Sequence, residues 1–308
     1  MEDKYVISDV CFEKNVINCG QETFYSCIKN SFDCRIKEEE LFFLSNPYSF
    51  TYVREDYSLE FETIYEVYRG IKENIINDIE WHNMRYKKLD ADLVCKYLRN
   101  DRLILVCVDN AVLSLYLESR TRLYPYHLLI IYGFDLSKEV FLVTDLYASD
   151  DYGKTIKFVK LDMNFVINHS VECVVFGRNK KKCIINDKKN IMFKSINEIV
   201  MPKGFLDTIN NYFLEIDNVD IEKRINGVSS IRWIIIIPVY MNLYNIIDNV
   251  HDKEEIKLMI KEWEILLLKY LKCCYKNIQQ LYERLRIKEL IKRHKEIISK
   301  IIRIQNKI

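Results

Sequence analysis

Short apolar runs separated by polar turns occupy the middle of the chain, and longer stretches with apolar residues three or four apart occupy its last third. Leu103–Val108 (LILVCV), Tyr126–Phe134 (YHLLIIYGF), Val140–Asp145 (VFLVTD), Thr155–Lys160 and Val171–Phe176 (VECVVF) have the length and composition of strands. The links between them are too short for helical crossovers, so the pattern predicts a mainly antiparallel sheet. Before them, Cys19–Lys29 reads as a helix with Phe24, Cys27 and Ile28 on one face, followed by helices at Lys37–Leu44 and Ala91–Arg99. After residue 185 the strand signals stop. Phe205–Leu214, Ser230–Asn249, Lys253–Lys276 and Ile278–Ile308 then predict three or four helices, with Ile256, Met259, Ile260, Trp263, Leu266 and Leu267 spaced as a bundle core. The expected class is α+β, with residues 1–184 as one domain and 185–308 as an all-helical C-terminal lobe.

At 308 residues the chain is longer than one core usually serves, which supports two lobes. Apolar residues make up 49% and charged residues 30%, a balance that excludes wholesale disorder. The net charge of +1 hides an uneven distribution. Residues 1–80 hold 8 Lys/Arg against 17 Asp/Glu, whereas residues 284–308 hold 9 against 2, a local balance of +7. The N-terminus has no basic start and apolar stretch of a secretory signal, and the run Trp233–Leu243 is interrupted by Pro238 and Asn242. It falls short of the ~20 residues that span a bilayer, so the expectation is a cytoplasmic protein without a membrane segment. Ten irregularly spaced Cys with no CxxC predict free thiols and no metal site.

Three residues have the types and places that nucleophilic acyl chemistry needs. Cys19 opens a helix, where aligned N–H dipoles favour its thiolate. His127 opens one expected strand and Asp145 closes the next. A tight hairpin turning near Leu136 sets positions 127 and 145 roughly opposite each other, within reach of one another. The imidazole then takes the thiol proton while the carboxylate holds its tautomer. Cys11 and Cys27 are rival nucleophiles, although Cys27 belongs to a helix interior and Cys11 lacks a helix start. Asp109 competes with Asp145 and otherwise lines the pocket or caps a turn. His82, His169, His251 and His294 read as surface or hydrogen-bonded residues, His169 being the hardest to dismiss.

In order along the chain, NCGQETFYSCI (18–28), LILVCVDNAVL (103–113), YHLLIIYGFD (126–135) and VFLVTD (140–145) resemble the papain-like cysteine-peptidase superfamily over residues 9–180. Within it the resemblance is to the butirosin-biosynthesis acyltransferases and the cysteine-protease homologues of thiotemplated assembly lines, such as the amide-forming enzyme of closthioamide biosynthesis. It implies a papain-like fold, a Cys19–His127–Asp145 triad and transfer of an acyl group from a carrier-protein thioester to an amine in natural-product biosynthesis. It further implies a carrier's phosphopantetheine arm as substrate, no bound cofactor, an acyl or peptidyl carrier protein as partner and a small amine as acceptor. One departure is that Glu13 stands where such peptidases have a Gln that donates to the oxyanion. Gln21, Asn18 and the Cys19 backbone N–H are the remaining donor candidates.

A peptidase or amidase using the same triad, and an inactive homologue that binds a carrier or peptide, are the alternatives. The helical lobe is the candidate lid that excludes water. Arg286, Lys292 and Arg293 in the basic tail are candidates for docking an acidic carrier. Nucleic acid is not an expected partner, because the tail has no aromatic residues on which bases would stack.

Overall fold

The computed structural model describes residues 3–8, 10–12, 19–45, 50–53, 58–61, 64–113, 126–146, 157–177, 185, 187–201, 204–276, 278 and 280–305. Its strands are β1 (Lys4–Val6), β2 (Phe50–Val53), β3 (Ser58–Phe61), β4 (Ile79–Asn83), β5 (Ile104–Asp109), β6 (Tyr126–Asp135), β7 (Val140–Asp145), β8 (Lys157–Asp162) and β9 (Ser170–Phe176). Helices of seven or more residues are α1 (Cys19–Ser31), α2 (Glu38–Leu44), α3 (Ile64–Asn74), α4 (Ala91–Arg99), α5 (Met163–His169), α6 (Lys188–Glu198), α7 (Phe205–Leu214), α8 (Ile221–Ser230), α9 (Ile237–Ile246), α10 (Val250–Tyr275) and α11 (Ile287–Gln305). The class is α+β.

The chain separates into two compact units, Met1–Leu41 with Val67–Ile185, and Phe42–Glu66 with Asn186–Ile308. The first is built on an antiparallel sheet of seven strands in the order β4-β9-β5-β6-β7-β8, with β1 added to β6. From β5 to β8 each strand pairs antiparallel with the next in sequence. The return from β8 to β9 instead carries α5, capped by Asp162, whose carboxylate accepts the Phe165 N–H at 2.7 Å. That connection lets β9 enter between β4 and β5. Leu105, Ile130, Val174, Phe134 and Phe141 fill the sheet's two faces and are fully buried. Where β1 crosses β6 the chain needs Gly133, since a Cβ there would lie 2.6 Å from the Tyr5 carbonyl oxygen.

The second unit corrects two expectations. Residues 42–66, assigned to the first domain on sequence order, belong to this unit because Phe42 and Phe43 are buried in its core with Phe205, Tyr212, Phe213, Tyr240 and Trp263. The lobe is also not all-helical, for the β2–β3 hairpin comes with that segment. Two of its expected long helices are interrupted. Ser230–Asn249 is realised as the end of α8, a π-helical stretch Ile231–Ile236 and α9, because Pro238 has no N–H to continue the ordinary ladder. Ile278–Ile308 breaks at Arg286, whose φ of 52° is left-handed and stops a helix.

Trp263 and Tyr240 enclose His294, which is completely buried. Its Nδ1 accepts from Trp263 Nε1 at 3.0 Å and lies 3.0 Å from the Tyr240 hydroxyl, while its Nε2 faces Glu262 Oε2 at 3.1 Å. A neutral ring protonated on Nε2 donates to Glu262 and leaves the one Nδ1 lone pair to accept from the Trp263 side. Burial pushes the His294 pKa down to about 4, against the opposing pull of Glu262. Burial also raises the Glu262 carboxyl, but bonds from Arg293 and His294 outweigh it and hold the group below its ordinary value.

Candidate active site

His127 and Asp145 meet. His127 Nε2 lies 2.9 Å from Asp145 Oδ1, and both side chains are buried, 8% and 2% exposed. The expectation that the two positions face each other directly is corrected. Across β6 and β7, Ile130 pairs with Thr144 and Ile131 with Val143, and a bulge follows between Ile131 and Gly133. His127 therefore reaches Asp145 diagonally, a Cα separation of roughly 7–8 Å in such sheets that an imidazole can bridge. The turn between the strands is Leu136–Lys138, ending at Glu139 with a left-handed φ of 52°.

The carboxylate can only accept, so Nε2 carries the proton and Nδ1 is the basic nitrogen. Asp109 does not share this role. Val108 pairs with His127 and Asp109 with Tyr126, so alternation directs Asp109 to the other face of the sheet.

Cys19 is the first residue of α1, which places its backbone N–H among those that the helix itself leaves without a partner. Its side chain, Asn18 and Glu13 lie outside the described residues. The Gln21 amide donates one N–H to the Glu38 carbonyl at 3.2 Å. Cys27, fully buried in α1, has its thiol pushed well above the ordinary value by desolvation, which disfavours the thiolate. Cys11 is exposed, with its backbone N–H and C=O both bonded to the Asn30 amide. The eight cysteines whose side chains are described are free thiols.

The sheet itself constrains how Cys19 and His127 can cooperate. His127 shares a face with Val108, Ile104 and Val175. Glu80, paired with Val175, also points there and accepts from Tyr97 of α4 at 3.2 Å, so α4 covers that face. Phe176 alternates to the opposite face, where the Phe24 ring of α1 meets it edge-on at 6.2 Å. The sheet body thus separates α1 from the His127–Asp145 pair. The two faces meet at the end of the sheet where β5 closes and β6 opens.

That end carries a group the sequence reading passed over. Arg85, in the turn after β4, donates to the Tyr126 hydroxyl and stacks over its ring at 5.3 Å. The only sequence signal was the Ile79, Trp81 alternation of β4, too short to stand out. The other histidines have local roles. His82 lies beside Glu80 at 3.8 Å, His169 packs on Phe165 with ring centroids 5.0 Å apart, and His251 is exposed near Glu255. Among the described residues no three His, Cys, Asp or Glu side chains are grouped to hold a metal, and no helix is long and apolar enough to cross a membrane.

The docking candidates divide. Arg286, Lys292 and Arg293 are all exposed, and Arg293 is bonded to Glu262. Lys295 and Lys300 are likewise paired, with Asp207 and Glu255. Part of the tail's positive charge thus serves to fasten α11 to its own unit. No protein-family model, no curated protein and no solved structure matches the chain.

Proposed function

We propose that the first unit is a papain-like catalytic domain performing cysteine-dependent acyl transfer, with Cys19 as nucleophile, His127 as base and Asp145 as the group that fixes the imidazole. The buried His127 Nε2···Asp145 Oδ1 contact carries this reading, because it presents a basic Nδ1 on a held ring. His127 takes the Cys19 proton, and the thiolate attacks the carbonyl of a carrier-bound thioester. The pantetheine sulfur leaves with the proton returned by His127, and an acyl-Cys19 thioester remains. An amine attacks that carbonyl, its proton passes to His127, and the amide departs as the Cys19 thiolate is restored. With water as acceptor the same steps give hydrolysis.

A carrier donor requires a docking surface, and Arg286 and Lys292 are its candidates. Reversing both to Glu raises the apparent KM for an acyl-carrier donor several-fold at low salt and leaves a small acyl-thioester mimic unchanged. The difference shrinks as the Debye length falls from ~30 Å at 0.01 M to ~10 Å at 0.1 M salt. Equal effects on both donors, or none on either, remove the carrier from the proposal.

A further inference from the structure

The 26-residue helix α10 buries one side against its unit through Ile256, Met259, Trp263, Leu267 and Tyr270. Its outer side carries three exposed apolar residues among charged ones. Leu258, Ile265 and Leu268 are 50%, 42% and 68% exposed, and the spacings of seven and three residues are those of a coiled-coil seam. Continued in both directions, the seam takes in Glu254, Lys261 and Lys272, all exposed. Scattered single apolar residues on a surface call for no explanation, but a row along one helix does.

We infer that this face of α10 pairs with the same face of a second copy of the chain, antiparallel and about a two-fold axis near Trp263. The seam is self-complementary only in that sense. In an antiparallel pair the two seam positions of each layer come one from each helix, so the register is set by one match. With Leu258 against Leu268 of the second copy, the adjoining layers bring Lys261 beside Ile265 and Glu254 beside Lys272. The Lys261 stem covers Ile265 while its ammonium reaches solvent. By symmetry each match occurs twice. A parallel pair in register would instead set Lys261 against Lys261, Lys272 against Lys272 and Glu254 against Glu254, placing like charges together in three layers.

Glu254 is already bonded to Lys257 at 2.6 Å, yet stays 61% exposed, leaving a carboxylate face for the second helix. With few apolar layers, the association is of moderate strength, on the order of 10 µM.

Sedimentation equilibrium of the full-length protein from 1 to 200 µM tests this. The wild type shifts from monomer to dimer, and Leu258→Asp with Leu268→Asp weakens the dimer at least tenfold. These positions face solvent in the monomer, so the fold, followed by circular dichroism, is unaffected. Glu254→Lys alone and Lys272→Glu alone also weaken it, and the double exchange restores it. A monomer across the whole range overturns the proposal, as does a dimer indifferent to the Leu substitutions or one that the double charge exchange fails to rescue.

Discussion

Asp145→Asn lowers the rate of acyl transfer by on the order of a thousandfold without unfolding the protein. The amide has nearly the shape of the carboxylate and keeps a bond to His127, but it can also donate, and it carries no charge. The imidazole then loses the partner that holds its proton on Nε2, and Nδ1 is no longer reliably the basic nitrogen. The imidazolium formed on proton transfer also loses its stabilising charge. Asp109→Asn, on the opposite face and paired with Tyr126, changes the rate by less than threefold. The comparison uses kcat with a small acyl thioester, which needs no docking. A large loss from Asp109→Asn with Asp145→Asn nearly silent would transfer the orienting role.

Acidification weakens the second unit through His294. Its pKa is about 4 when folded and near 6.5 when exposed, so between those values the unfolded chain binds the extra proton. The stabilisation is fully present above pH 6.5 and is lost as the pH falls towards 4, by roughly 3 kcal/mol at about 1.4 kcal/mol per pKa unit. Protonation places an N–H on Nδ1 against the Trp263 N–H, so two donors face each other. Glu262, held below its ordinary value, adds a loss in the same direction below about pH 4.5. Urea titrations from pH 7.5 to 4 should show the wild type losing about 3 kcal/mol more than His294→Gln. A constant difference between the two across the range contradicts this.

Strands β5 to β9 of the first unit were legible because their apolar runs are bounded by polar turns, whereas β1 and β4 were too short to register; α4 was legible to the residue because Asp90 caps it and Asn100 ends it. The diagonal register of His127 and Asp145 was not, since the bulge beside Gly133 leaves no mark in the apolar pattern. Nor was the sheet order. β9 returns beside β5 only because α5 spans the gap, and β4 is a five-residue edge strand of mixed polarity. Residues 42–66 were misassigned because sequence proximity says nothing about which core Phe42 and Phe43 enter. His294, read as one more hydrogen-bonded residue, is the centre of a buried cluster whose partners are 31 and 54 positions away.

The side of the sheet to which α1 packs was also invisible, and it bears on the central claim. Cys19 and His127 cooperate only if the start of α1 comes round the sheet's end. Iodoacetamide labelling followed across pH 4.5–9.5, with peptide mapping, tests that meeting directly. A thiol paired with His127 stays ionised well below the ordinary cysteine range near 8.5. The account therefore predicts that Cys19 is the first residue alkylated, that it still reacts quickly at pH 6, and that His127→Asn shifts its profile up towards an ordinary thiol. Faster labelling of Cys11, or a Cys19 profile indifferent to His127→Asn, would contradict it.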